Sequence, residues 1–217
     1  MPAADFQLLR IPEGITDEAA LLLTDNLATG WAGAKRADIN RGDTVAVFGL
    51  GAVGQCAVRS ALALGAGRVL AFDPVQGRLD RAVAAGALPL VGSPVEAVLE
   101  ATGGRGADAV IDAVAHDTTL DASFAAVRSS GTISVIGIHD LNPYPLAVLM
   151  GVFRSITLRM TTAPVQSTWA DLVPLVQSGR LDPTGIFTHT YPLAEAATAY
   201  AAVAARSSDC LKVLLTP

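Results

Sequence analysis

The run Gly49-Leu-Gly51-Ala-Val-Gly54 narrows the folds open to this chain more than any other stretch. A G-x-G-x-x-G pattern alone is weak evidence, but here it stands between a strand and a helix, the context that gives it meaning. Residues 44–48, Thr-Val-Ala-Val-Phe, read as a strand leading straight into it. Beyond it, Val53, Cys56, Ala57, Ser60, Ala61 and Leu64 fall on one stripe at helical spacing, and Gly65 follows as a stop. In such a turn Gly49 permits the reversal, Gly51 lets a pyrophosphate approach bare backbone, and Gly54 lets helix pack closely on strand. Ala52 and Val53 open the helix, whose free N–H groups and partial positive charge face the phosphates. Cys56 lies on the packed side of that helix and reads as a small core residue, not a reactive thiol.

From Asp43 to Met160, short β-branched runs alternate with alanine-rich helical stretches. Strands are expected at residues 44–48, 68–72, 109–113, 132–136 and 156–160, with a weak one at 88–91 where Pro89 suits only an edge or a strand start. Apolar strands separated by helices indicate a parallel sheet, and right-handed crossovers make it a doubly wound, six-stranded α/β Rossmann sheet. Two flanks remain. The first holds the run 8–11, a turn at Pro12-Glu-Gly14 and a helix through 19–23. The second holds a helix at 169–177, a strand near 186–190, an alanine-rich helix from Leu193 to about Arg206 and a last strand at 211–215.

The second strand ends in Phe72-Asp73, 19 residues beyond Gly54. A carboxylate there accepts hydrogen bonds from the adenosine ribose and repels a ribose phosphate, which favours NAD over NADP. Before Pro74, Asp73 also suits a turn. Arg78 has two readings, a partner for Asp73 or the ribose edge and a surface arginine with no specific task. Ligands in such sheets bind outside the carboxyl ends of the strands, so Ala113 and Val114, with Ile136, Gly137 and Ile138, are expected to line the adenine and nicotinamide sides of the cleft. His116 and His139 follow those strand ends and read as solvated loop residues before catalytic ones; His189 reads as structural.

Composition excludes several other classes. Of 217 residues, 51% are hydrophobic and 16% charged, enough apolar material for a large core. A net charge of -5 gives no reason to expect nucleic acid or an acidic membrane surface. The two cysteines lie far apart with no Cys/His cluster, so neither a disulfide framework nor a self-contained structural zinc site is indicated. No signal pattern and no apolar run of spanning length is present, and a cytoplasmic location without membrane contact is expected.

With these residues in place, the chain resembles the medium-chain, zinc-dependent alcohol dehydrogenases. The likeness rests on Pro12-Glu-Gly14, on residues 24–30 (Thr-Asp-Asn-Leu-Ala-Thr-Gly), and on residues 41–54 through the glycine motif. It continues in residues 103–112 and 131–137, in Phe187-Thr-His189 and in the terminal strand, with a flavour similar to bacterial formaldehyde, threonine and secondary alcohol dehydrogenases. The resemblance implies an NAD-dependent hydride transfer on a small alcohol or aldehyde. It also implies a division into the end of a GroES-like catalytic domain (1–30), a Rossmann domain (31–163) and a return to the catalytic domain (164–217). Asp25 matches a zinc ligand in an Asp-x-x-x-Thr-Gly segment, with a helix cap before Asn26 as the other reading. Thr29 and residues 161–163 match positions beside the nicotinamide. Lys212 matches a basic group that reaches the pyrophosphate, or snorkels at the surface. Catalytic zinc needs three protein ligands and an open position, and this chain offers one, so it reads as a C-terminal portion of such an enzyme. A non-catalytic NAD-binding module and a zinc-free reductase like the quinone oxidoreductases are the competing readings; the missing ligands favour the former, and Asp25 with Thr29 disfavours the latter. The resemblance further implies a homodimer through the edge from Ser155 to Met160, a run with little charge protection.

Overall fold

A computed structural model of the chain describes residues 8–139, 142–205 and 207–217. Two helices, α1 (Asp17–Leu23) and α2 (Asn26–Arg36), precede the sheet. Then β1 (Thr44–Phe48), α3 (Ala52–Leu64), β2 (Arg68–Phe72), α4 (Gln76–Ala84), β3 (Leu88–Pro89) and α5 (Pro94–Ala101) alternate. They continue as β4 (Ala107–Asp112), α6 (Asp117–Ala126), β5 (Val127–Val135), α7 (Val148–Arg154) and β6 (Thr157–Met160). All six strands run parallel in the order β3-β2-β1-β4-β5-β6. That is the Rossmann order, with the chain reversing direction between β1 and β4.

The strand sequences explain why the sheet is covered on both faces. Every residue of β1 is buried. Val45 and Val47 point into a core with Ala57, Val58 and Ala61 of α3, while Ala46 and Phe48 point into a second core with Val98 of α5 and Leu120 of α6. Successive residues serve opposite faces, so a continuous apolar run is what a doubly covered strand requires. At the far end of α3, Gly65 caps the helix at φ +102°, a left-handed conformation suited to glycine.

Several expected boundaries shift. The third strand is only Leu88–Pro89, at the sheet edge where a proline costs no ladder bond. β4 starts earlier and stops at Asp112, whose carboxylate accepts the Val114 and Ala115 N–H groups as the chain turns. β5 starts at Val127 and ends at Val135; its exposed Ser129 and Ser130 disguise the first half, and its register against β4 shifts between Ala107 and Ala109. Ser155 caps α7 in a left-handed conformation, so the sixth strand is confined to Thr157–Met160.

In the second flank, α8 (Val165–Gln177) begins before Trp169. The two flank strands move later, to β7 (His189–Pro192) and β8 (Val213–Thr216), which pair in parallel as a separate sheet. A 3-10 turn, Leu193–Glu195, precedes α9 (Ala196–Ala204), and Arg206 lies outside the described residues. A third core joins α1 and α2 to α8, with Trp169 donating its indole N–H to the Leu23 carbonyl at 3.1 Å. Among the described residues no helix is long and apolar enough to cross a membrane.

At the amino edge of the sheet, Asp108 ties three strands together. It accepts the Thr44 N–H at 2.9 Å, a two-pronged contact from Arg105 at 2.7 and 2.9 Å, and Nε of Arg128 at 2.7 Å. The Arg105 hydrogen bond, followed by those of Arg128 and Thr44, outweighs burial and holds its carboxyl well below the usual carboxylate range. A depressed native value means stability that is present above the unfolded carboxyl's value near ~4 and is lost as pH falls through the native one. Asp108→Ala is therefore expected to cost about 2 kcal/mol in denaturant unfolding at pH 7, the worth of a charged hydrogen bond or two. The deficit against the parent chain should shrink as the pH is lowered below about 4; a deficit that stays constant down to strongly acid pH would refute this account.

Candidate dinucleotide site

The glycine loop occupies the carboxyl edge of the sheet, between β1 and α3. Gly49 has φ +84°, which a side chain would strain, and a Cβ there would lie 2.3 Å from Cγ2 of Val114. A Cβ on Gly54 would sit 1.9 Å from the Gly49 carbonyl oxygen, so the helix approaches the strand as closely as the sequence pattern requires. At Gly51 a Cβ would meet nothing within 4 Å: the side facing the cleft is open. Gly51 is the N-cap of α3 and supplies no side-chain cap, so Ala52 and Val53 begin the helix without one. A bare helix N-terminus beside open space is a fitting cradle for a pyrophosphate.

Asp73 lies beside that loop and is 7% exposed. One carboxylate oxygen accepts the Leu50 N–H at 2.8 Å, and the other accepts the Val75 N–H at 2.8 Å. Both sequence readings of this residue thus have a structural counterpart, since the same carboxylate adjoins the glycine loop and forms the turn before α4. Arg78 stands 3.7 Å from it, with a buried Nε that has no hydrogen-bond partner.

Across the cleft, Ala113 and Val114 follow β4, and Ile136 to Ile138 follow β5. The two segments touch: a Cβ on Gly137 would lie 2.4 Å from the Val114 backbone. Ile136 is buried, and Ile138 is turned outward at 80% exposure. A hollow of about 840 Å³ runs past Ala115, Gly137, Ile138, His139, Thr161 and Thr162, uniting the carboxyl ends of β4, β5 and β6. His116 and His139 are brought edge to face with ring centroids 4.4 Å apart. His116 is also the N-cap of α6, its ring accepting the Thr118 N–H, so it is built into the helix start instead of being merely solvated. His189 lies in β7, 3.9 Å from Asp209.

Two features escaped the sequence reading. Asp112, at the end of β4, is fully buried. A second hollow of about 510 Å³, lined by Phe48, Phe72, Pro94 and Thr118, opens between the ends of β1 and β2 and the starts of α5 and α6. No motif marks either, because both depend on which strands become neighbours.

The remaining expected residues sit on the flanks. Asp25 precedes α2 without forming a side-chain cap; its oxygens accept from Asn26 Nδ2 and from the Thr29 hydroxyl, both at 3.2 Å. The helix-cap alternative thus holds for position, since Asp25 is the N-cap residue of α2, but its side chain caps no backbone N–H. Among the described residues no three His, Cys, Asp or Glu side chains come together as a metal-binding group. Asp25 alone does not fit a zinc ion, which takes three protein ligands. Lys212 extends from the segment before β8, its Nζ 5.9 Å from the centre of the Phe187 ring.

Six parallel strands in this order, with a glycine loop at the reversal point and an acid after the second strand, define a Rossmann-type dinucleotide-binding fold. The chain belongs to the zinc-binding dehydrogenase family, whose profile matches residues 52–178. It is 60% identical over its full length to a probable zinc-binding alcohol dehydrogenase of Mycobacterium tuberculosis, of which it covers 56%. It is 33% identical to an alcohol dehydrogenase of Cupriavidus necator, covering 61% of that protein. The solved alcohol dehydrogenase of Thermus sp. ATN1 superposes with a TM-score of 0.91 at 33% identity, over 96% of this chain and 61% of that one. The chain thus spans between half and two thirds of the length of these relatives.

Cys56 has no accessible surface, and burial pushes its thiol up to about 12, with Arg59 and Lys212 opposing only in part. The thiolate is the reactive form, so at pH 8 the native chain should leave Cys56 unmodified by a disulfide reagent while the unfolded chain reacts, a contrast of at least about a hundredfold in rate. Labelling of Cys56 in the native protein as fast as in denaturant would contradict its place in the core.

Proposed function

We propose that this chain is the NAD(H)-binding portion of a zinc-dependent alcohol or aldehyde oxidoreductase. The observation that carries the reading is the Asp73 carboxylate, buried beside the bare-backbone glycine loop and already bonded to it through Leu50. Gly51, Ala52, Val53 and Gly54 hold the pyrophosphate on backbone N–H groups, Gly49, whose own N–H goes to the Phe72 carbonyl, makes the turn, and Asp73 accepts the adenosine ribose hydroxyls. Arg78 steadies that carboxylate from 3.7 Å and lies beside the sugar edge. The apolar hollow at Phe48, Phe72 and Pro94 suits the flat adenine ring. Thr29, Ala113, Val114, Ile136, Gly137 and Ile138 orient the nicotinamide end and exclude water from it, and Lys212 adds positive charge on the pyrophosphate side. When bound, the nicotinamide supplies the hydride acceptor for an alcohol or the donor for an aldehyde. No step is assigned to zinc, for which these residues offer only Asp25. We also retain the division at residues 30 and 163 between the coenzyme domain and the catalytic flanks, although α2 runs through the first boundary unbroken.

Titration calorimetry on the 217-residue chain is expected to show NADH binding and markedly weaker NADPH binding. Asp73→Ser should weaken NADH about tenfold to a hundredfold, through loss of one or two charge-assisted hydrogen bonds, and narrow the gap to NADPH. A parent chain that ignores both dinucleotides, or prefers the phosphorylated one, would sink the reading. Alcohol-dependent NADH formation by any longer gene product then tests the enzymatic half.

We further propose that two copies pair through the β6 edge. What supports this is an open strand edge beside a helix with its apolar side chains in solvent: in α7, Leu149 is 71%, Val152 66% and Phe153 82% exposed, and Met160 of β6 is 65% exposed. An apolar patch joined to an unpaired edge is costly in water and is relieved by a two-fold copy of itself. Light scattering is expected to give the mass of two chains, and Phe153→Glu to shift it toward one, weakening association by at least about tenfold. A single-chain mass for the parent protein at micromolar concentration would refute the dimer.

A further inference from the structure

Asp112 is a carboxyl group for which neither the coenzyme reading nor the packing of the sheet has any evident use. It has no accessible surface, and its Oδ2 is buried with no hydrogen-bond partner. Burial pushes its carboxyl above the usual carboxylate range, opposed by hydrogen bonds from the Ala115 and Val114 N–H groups and by the nearby Thr119 hydroxyl, which itself donates to the His116 carbonyl. The ionisable groups on the surrounding elements are His116, Asp117 and Asp121 of α6, Asp73 and Arg78 beyond β2, and His139 beyond β5; none contributes to that shift. A valine of nearly the same shape would satisfy a strand covered on both faces at no such cost.

What the carboxyl does have is a turn. Its Oδ1 accepts the N–H groups of Val114 and Ala115, each at 2.9 Å. Ala115 has φ +61°, a left-handed conformation that costs a residue with a Cβ about 1 kcal/mol or more unless something holds it. The main-chain oxygen of the same Asp112 accepts the N–H groups of Ile136 and Gly137, at 2.9 and 3.1 Å. One residue therefore fastens both segments on the far side of the cleft. Those segments leave no slack: Val114 fills the space a Gly49 side chain would need, and the Val114 backbone fills the space a Gly137 side chain would need.

We propose that Asp112 is a positioning residue for the dinucleotide, which it never touches: it holds the 113–115 turn in its left-handed form and so sets the distance between the glycine loop and the opposite wall of the cleft. This rests on the coenzyme reading above. Loss of the side-chain acceptor frees two buried N–H groups and lets Ala115 relax toward ordinary φ, carrying Val114 away from Gly49.

The test uses Asp112→Asn, Asp112→Val and the double variant Asp112→Val/Ala115→Gly in the 217-residue chain, read by NADH calorimetry and by hydrogen exchange of the Val114 and Ala115 amides. Asp112→Asn keeps the acceptor and should bind NADH within about threefold of the parent, with unchanged exchange. Asp112→Val should bind at least about tenfold more weakly and exchange those amides faster. Glycine accepts positive φ freely, so the double variant should regain at least about threefold of the lost affinity, which no role in simple packing would produce. Asp112→Val binding NADH like the parent, or a double variant no better than the single one, overturns the proposal. Where Asp112→Val fails to fold, the double variant decides: folding and binding support the role, and failure to fold overturns it. A parent chain that does not bind NADH overturns the coenzyme reading itself, and the exchange rates then judge the turn-holding claim alone.

Discussion

The backbone contact between the glycine loop after β1 and the turn after β4 is the constraint on which the rest of the structure depends. Gly54 lets α3 begin almost on top of Gly49, and Gly49 in turn lets Val114 close over it. With the helix started that near the strand, Ala57, Val58 and Ala61 meet Val45 and Val47 without intervening bulk, and the first core forms from small side chains. The same closeness leaves the first N–H groups of α3 facing the cleft beside a surface with nothing on it at Gly51. Packing and the binding cradle are thus consequences of one steric fact.

The two edges of the sheet use carboxylates in opposite ways. At the amino edge, Asp108 is saturated by two arginines and a backbone N–H, so its charge is cancelled where it stands and serves only to lock strands together. At the carboxyl edge, Asp73 and Asp112 are engaged mainly by backbone N–H groups. The one arginine nearby, Arg78, stays at 3.7 Å with a donor unused. The carboxylates of the carboxyl edge are thus held in place by main chain, whereas Asp108 at the amino edge is held mainly by arginine side chains.

Much of this was legible in the sequence where the signal was local. The glycine spacing, the strand before it, the Gly65 cap and the restriction of Pro89 to an edge each follow from a few adjacent residues, and with the alternation of strands and helices they point to the doubly wound sheet. What was hidden depends on distant partners. The strand expected at 132–136 leaves out the first half of β5, where Arg128-Ser129-Ser130-Gly131 has no apolar run, yet that half is held in the sheet by its neighbour. β7 and β8 slide later because their register is chosen by each other, across more than twenty residues of chain. Asp112 looked like one more residue of an apolar strand; only the meeting of β4 with the 136–137 segment reveals what its oxygens bind.

The chemistry divides along the same line. Sugar, phosphates and adenine would each meet groups belonging to this chain, gathered on one edge by one sheet. A metal-assisted hydride transfer needs in addition three ligands around an open position, and the described residues gather no such group; the Asp25 carboxylate is paired with Asn26 and Thr29. Asp25 immediately precedes α2, whose packing on α3 ties its position to the helix that opens at the glycine loop.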